Sequence, residues 1–394
     1  MTSKVLTPSP FSVRSRRGRS PAETATLQRG PIDSWLLLAV VLLLLIGEVM
    51  VFSTSYFYAF ERFSEPYRFF WKHQAALALG ACGLVIAIAV PSAMYRYFVY
   101  PFLILAILGL SIVFLPGISH GRIHRWIHAG PINFQPSEFA KGAAVLYLAS
   151  SLAKKTDRIT DFMRGIFPQL LIVGVIVLLI ALEPDLGGAV SVSLVLVAML
   201  FVAGARLRHL AALMACGFIL LICGTLTANY RLDRIVSFLH AAEHKQGHSY
   251  QLNQSLIAFG AGGANGVGLG ESRQKMFYLP EAHTDFIFAV VGEETGLWGT
   301  GGILVLFTLL GVRGLRVALR HPHRFGRLLA FGCTFLLVCQ AGLNMAVVLG
   351  LLPTKGLPLP FISYGGSSLV MALIYAGVLL SLSRESRREN QAYA

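Results

Sequence analysis

Residues 279–312 read LPEAHTDFIFAVVGEETGLWGTGGILVLFTLLGV, an acidic, histidine-containing loop that runs straight into an apolar segment. A membrane-crossing helix needs about 20 mostly apolar residues, and 286–312 supplies them while placing Asp285 at the boundary between water and lipid. The whole chain follows suit. With 55% hydrophobic and only 13% charged residues and a mean hydropathy of +0.66, its 394 residues have the composition of a polytopic membrane protein rather than a soluble domain. Apolar segments fall at 35–54, 74–90, 98–115, 139–153, 166–182, 186–204, 209–228, 286–312, 328–352 and 367–383. The fourth is the weakest, being short and carrying Lys141, yet dropping it would reverse the orientation of everything after it. The expected fold is therefore an all-α polytopic membrane protein of ten transmembrane helices. A large extracytoplasmic loop, 229–284, separates helices 7 and 8.

Charge sets the orientation. The tail 1–34, the alternate loops near Arg96, 154–164, 206–208 and 313–327, and the C-terminus hold most of the 33 Lys and Arg. The positive-inside tendency then puts both termini in the cytoplasm. Residues 1–34 read as a basic disordered tail held near anionic lipid, 35–383 as the membrane domain and 384–394 as a C-terminal cytoplasmic tail. No signal-peptide cleavage pattern precedes Trp35, so the first helix is expected to stay as an anchor. The net charge of +14 is met by this lipid-facing distribution and calls for no nucleic acid. Cys82, Cys216, Cys223, Cys333 and Cys339 all fall in expected spans, without metal-ligand spacing, and read as small packing residues.

The outer connections are richer than solvation alone requires: 121–141, 183–188, 229–284 and 351–368 mix Gly, Pro, aromatic and ionisable residues above one leaflet. The glycine run GAGGANGVGLG at 260–270 has neither GxGxxG spacing nor a following GK[ST], so it is read as a loop that re-enters or packs closely at the membrane surface. Around Tyr250, Gln251, Gln254 and Leu256 a short amphipathic interfacial helix is expected. His120, His124 and His128 resemble a zinc set only superficially. Gln340 and Asn344 share a helix face and are expected to form interhelical hydrogen bonds.

Five runs carry a family resemblance: RWIHAGPINFQPSEFAK from 125, EPDLGGAV from 183, SYQLNQSLIAFGAGG from 249, GVGLGESRQKMFYLPEAHTDFIFAVVGEETG from 266 and GLLPTKGLPLPFISYGGSS from 350. The chain resembles the SEDS proteins (shape, elongation, division and sporulation) over almost all of 35–383. PTKG, SYGGSS and the basic tail are most similar to the division branch, with the elongation branch as the competitor. The resemblance implies a peptidoglycan glycosyltransferase that polymerises lipid II, an undecaprenyl-diphosphate-linked disaccharide peptide, at the septum. It also implies an FtsI-like class B penicillin-binding protein as partner and contacts with divisome membrane proteins such as FtsQ, FtsL, FtsB and FtsN. A lipid II flippase and a non-catalytic divisome scaffold are the other function classes.

That chemistry assigns roles. Inverting an α-linked diphosphate donor to a β-1,4 bond needs one general base for the acceptor 4-hydroxyl, while the diphosphate leaves unprotonated. Asp285 fits the base, partly desolvated beside Phe286 and Phe288; capping of the following helix is the competing reading. Arg125, Lys141, Arg231, Arg234 and Lys355 are candidate diphosphate contacts. For Lys141 the alternative is an i, i+3 pair with Glu138; for Trp126, a sugar platform competes with a membrane-interface belt role. Gln135, Glu138, Gln251, His283, Ser363 and Tyr364 complete the substrate candidates. Glu183, Asp185, Glu293 and Glu294 are expected to pair with Lys141 or the loop arginines, or to hold a divalent cation, Mg or Mn, at the diphosphate. No cofactor is otherwise implied. Glu48 interrupts the first helix, where the family usually has an apolar residue, and is given no catalytic part.

Overall fold

The computed structural model describes residues 30–115, 125–129, 132–155, 158–226, 248–354 and 356–386. A helix coincides with every expected span: α1 (Ser34–Phe63), α2 (Arg68–Ala89), α3 (Ser92–Ile112), α4 (Pro136–Lys154), α5 (Phe167–Leu182), α6 (Leu186–Ala203), α7 (Leu207–Leu226), α9 (Ile287–Arg320), α10 (Arg324–Val348) and α11 (Gly366–Ser386). An eleventh, α8 (His248–Gly262), lies in the long loop. A hairpin of β1 (Ile127–Ala129) and β2 (Ile132–Phe134) pairs antiparallel with His128 opposite Asn133.

Among the described residues eight helices are long and apolar enough to cross a membrane on their own; of the ten at expected spans, α4 and α7 are outside that set, α7 contributing the shorter apolar stretch Leu207–Leu220. For α4 the reason is position. Fourteen of its nineteen residues are buried by neighbouring helices, and a helix that touches protein rather than lipid has no need of a continuous apolar surface. Its first turn carries Pro136 at N1 and Glu138, a favourable N-terminal pairing.

Several boundaries move from the sequence reading. The basic segment 313–327, expected as a loop, is helical except at 321–323, and α11 continues through Ser386. Arg and Lys stems cover apolar helix surface while their heads reach the polar boundary, so charge does not end a helix. The first and last described stretches meet. Gly30 N donates to Arg384 O at 2.9 Å, Asp33 caps α1 and receives Arg313, and Ser383 Oγ accepts from Asp33 N. Asp285, the β-hairpin and the 357–365 turn lie at the opposite end of the bundle.

The glycine run does pack back into the bundle. α9 breaks at Gly296 (φ 64°, ψ −154°), a conformation only glycine adopts readily. A Cβ there would also come 2.5 Å from Ala264 O. The freed backbone is satisfied by the loop: Val267 N donates to Glu293 O, Gly268 N to Glu294 O, and Leu297 N to Gly263 O. The helix expected on the interface, α8, packs along α9 and ties to α10 through Ser255 Oγ and Val348 O at 2.6 Å.

Candidate active site

Asp285 is half-buried in the turn 281–286 that precedes α9. The N-cap of α9 is Phe286, so the carboxylate does not sit at the capping position. Its backbone carbonyl is held by Asn344 Nδ2 at 2.8 Å, and the same amide donates to Leu357 O at 2.6 Å. One turn earlier on α10, Gln340 Nε2 donates to Pro358 O at 3.0 Å and Gln340 Oε1 accepts from Lys141 Nζ at 2.9 Å. Gln340 therefore makes the expected interhelical bond, but Asn344 fastens two loop segments instead. A Cβ on Gly356 would lie 3.0 Å from Asp285 Oδ2, so the carboxylate faces the backbone of the 353–358 segment.

The 357–365 segment closes over the 281–286 turn. Ser363 Oγ donates to Thr284 O at 2.6 Å and accepts from Leu359 N, while Tyr364 N donates to His283 O at 3.0 Å. The His283 ring stacks among Tyr58, Phe69 and Tyr364, with centroids 5.0, 5.4 and 5.8 Å away. Burial lowers the His283 pKa, with Glu281 opposing, and burial likewise raises that of the Tyr364 phenol. Burial thus favours the neutral His283 ring, which suits packing or a neutral hydrogen bond better than diphosphate binding.

A second group adjoins through Leu357, against which the first turn of α6 packs at Gly187. Asp185 caps α6, taking Gly188 N at 2.9 Å, and its other oxygen is 3.5 Å from Ser137 Oγ, which accepts from Gln135 Nε2 at 3.0 Å. Arg125 Nε donates to Glu183 O at 2.9 Å, and a second nitrogen reaches Pro184 O. Glu183 is buried with neither carboxylate oxygen bonded among the described residues. Burial, and then Asp185, push its pKa up to about 8 against the opposing pull of Arg125.

Lys141 forms the i, i+3 pair with Glu138 at 2.8 Å, both buried. Tyr375 Oη donates to Glu138 O at 2.9 Å, anchoring that turn to α11. Trp126 is half-buried immediately before β1, and Gln251 is half-buried on α8. Arg231, Arg234, Lys355, His120 and His124 lie outside the described residues.

Glu293 and Glu294 lie within α9 as expected but do not take the expected partners. Glu294 pairs with Lys275 at 2.7 Å, both buried, and Ser53 Oγ of α1 bonds both. Glu293 accepts from Ser272 Oγ, Arg273 N and Gln274 N. Neither reaches Lys141, because the break at Gly296 brings 270–275 against this face of α9. Sequence reasoning missed Lys275; its one signal is a lysine followed directly by Met276 and Phe277 in an extramembrane loop. Missed too was the pairing of Glu48 with His73, at 3.2 Å, and with Gln74. Among the described residues no three His, Cys, Asp or Glu side chains converge as metal ligands. Glu183 and Asp185 alone make an incomplete set, so no step below is routed through a cation.

Fold and site together define a polytopic helical membrane protein whose conspicuous polar centre lies at the bundle end opposite the start of α1 and the end of α11. Residues 34–388 match the cell cycle protein family of FtsW, RodA and SpoVE, and the chain belongs to that family. It is 44% identical over 354 residues to "Probable peptidoglycan glycosyltransferase FtsW" of Geobacter sulfurreducens, covering 89% of this chain and 95% of that one. With stage V sporulation protein E of Bacillus subtilis it shares 42% over 366 residues, 92% of this chain and 100% of the other. In structure it is similar, with a TM-score of 0.75 and 28% identity, to a chain from a peptidoglycan synthase complex that coordinates polymerization and crosslinking; 91% of this chain and 99% of that one are covered.

Proposed function

We propose that this chain is a peptidoglycan glycosyltransferase that polymerises lipid II at the division septum, with Asp285 as general base. The observation that carries the reading is the placement of Asp285: half-buried, its backbone fixed by Asn344, its carboxylate facing the glycine backbone at 356. Partial removal from water makes a carboxylate a stronger base, and fixed backbone keeps it in place as the acceptor arrives. Asp285 takes the proton of the acceptor 4-hydroxyl; the freed oxygen attacks the anomeric carbon from the face opposite the diphosphate, which departs with the bonding pair. Arg125, Lys141 and Lys355 are assigned to the diphosphate, with Glu138 and Gln340 orienting Lys141. A divalent cation at the diphosphate belongs to the same proposal as a substrate-borne ion.

Basic residues cluster at the terminus-bearing end, which supports a cytoplasmic location for that end and a periplasmic one for the site in a bacterial inner membrane. The complex to which the chain is structurally similar supports a class B penicillin-binding protein as partner. Purified protein with that partner and labelled lipid II tests the reading. Wild type is expected to give polymer and Asp285→Asn none, with lipid II still bound. Leaflet exchange without polymer would instead mean a flippase, and unchanged division in cells carrying Asp285→Asn a scaffold. Activity that survives exhaustive chelation would remove the cation.

A further inference from the structure

At the terminus-bearing end, α6, α9 and α10 leave a groove of about 330 Å³ between them. Val202, Leu315, Leu319 and Phe331 line it together with Arg324 and Arg327. The Arg324 guanidinium is fixed in place: one Nη donates at 3.0 Å to Ala203 O, the last carbonyl of α6. Its Nε is buried with no partner among the described residues. Arg327 stands exposed one turn along, and neither arginine joins a salt bridge among the described residues.

The deeper part of this groove is apolar. Phe331 is seven residues from Arg324, about 10 Å along α10 toward the middle of the bundle. Val202, Leu315 and Leu319 remain 48, 44 and 72% exposed although they sit on membrane-crossing helices. On this wall Leu315 and Phe331 therefore reach toward hydrocarbon, while Val202 and Leu319 share the level of the guanidiniums, where headgroups begin. A soluble anion would satisfy the arginines and leave the wall bare. A neutral acyl chain would cover the wall and leave both guanidiniums without an anion. One chemistry meets both demands, a phosphate joined to an acyl chain, and the volume is at the lower end of those that hold small ligands.

We propose that this groove binds one anionic glycerophospholipid of the adjoining leaflet, at the end of the bundle opposite Asp285. The phosphate accepts from Arg324 and Arg327 while an acyl chain runs along Leu315, Leu319 and Phe331. Such a lipid would join α6, α9 and α10 at the end where α9 and α10 carry Arg313, Arg316, Arg320, Arg324 and Arg327.

The test uses full-length protein in mild detergent with equimolar phosphatidylglycerol and phosphatidylcholine, read by native mass spectrometry. Wild type is expected to retain one phosphatidylglycerol per chain, at least about tenfold over phosphatidylcholine, and Arg324→Gln/Arg327→Gln to bring the two lipids to parity. Arg327→Gln alone leaves the α6 contact intact and is expected to lower the preference about fivefold. Arg316→Gln/Arg320→Gln, which alters exposed arginines outside the groove, should not change it. Equal retention of the two lipids by wild type would overturn the proposal. So would an unchanged preference in the Arg327 variant, an equal loss in the Arg316/Arg320 variant, or displacement of the lipid by millimolar inorganic phosphate.

Discussion

Replacing Lys275 with Met should open the loop that seals the break in α9. The ammonium lies 2.7 Å from Glu294 Oε1, 2.9 Å from Ser53 Oγ and 2.7 Å from Gly270 O, and both charged side chains are almost wholly buried. Removing it leaves the Glu294 carboxylate buried with only Ser53 as donor among these groups, a loss of about 3–5 kcal/mol when one partner of a buried pair is deleted. At about 1.4 kcal/mol per tenfold, the open state of the loop should grow by roughly two to three and a half powers of ten. The amides of Val267 and Gly268 donate to Glu293 O and Glu294 O, so their hydrogen exchange reports this opening directly. Lys275→Met/Glu294→Leu removes both charges and should return exchange to within about tenfold of wild type. Exchange in Lys275→Met within a few-fold of wild type, or a double variant as fast as the single, would refute the latch.

Gly356→Ala puts a methyl 3.0 Å from Asp285 Oδ2 and forces the carboxylate aside by a fraction of an ångström; kcat for lipid II polymerisation should fall about tenfold with KM nearly unchanged. Asn344→Ala strands the Asp285 and Leu357 carbonyls and should cost about 1–3 kcal/mol in thermal unfolding. Asn344→Asp sets a carboxylate against the same oxygens and should be worse, and the reverse order would count against the bonding assigned here. Glu183 has a folded pKa of about 8 against an ordinary 4.5, so between those values the folded chain holds a proton the unfolded chain has released. Stability from this group is complete below about pH 4.5 and lost as pH rises through about 8. Glu183→Gln should flatten that slope, and an unaltered pH–stability profile would show that Glu183 is ionised in the folded protein.

Much of this was legible because its physical cause is local. Runs of apolar residues name their own helices, since a backbone in lipid must satisfy its hydrogen bonds within the segment. Pro136 with Glu138 opens α4, and the i, i+3 spacing of Glu138 and Lys141 already allowed the pair that the structure contains. The failures share one character. Glu293 and Glu294 looked like partners for Lys141 or loop arginines because nothing local points to Lys275, 19 residues earlier, folded back through the Gly296 break. Asn344 looked like an ordinary interhelical contact because the sequence does not say that 357 and 285 meet on one amide.

The sequence by itself determined a many-spanning helical membrane protein, the place of each of its spans though not their ends, which lie up to nine residues off at α1 and six at α2 and α3, and Asp285 as the residue where polar chemistry meets an apolar span. These follow from segment hydropathy, spacing and motif, which short stretches of chain contain in full. Tertiary structure alone decided which carboxylates are neutralised and by what, that α9 breaks and is resealed by the glycine loop, and that α10 presents Asn344 to two separate loops. Such pairings depend on desolvation and on backbone brought together from distant positions, and a buried charge takes whichever partner the packed helices place within about 3 Å.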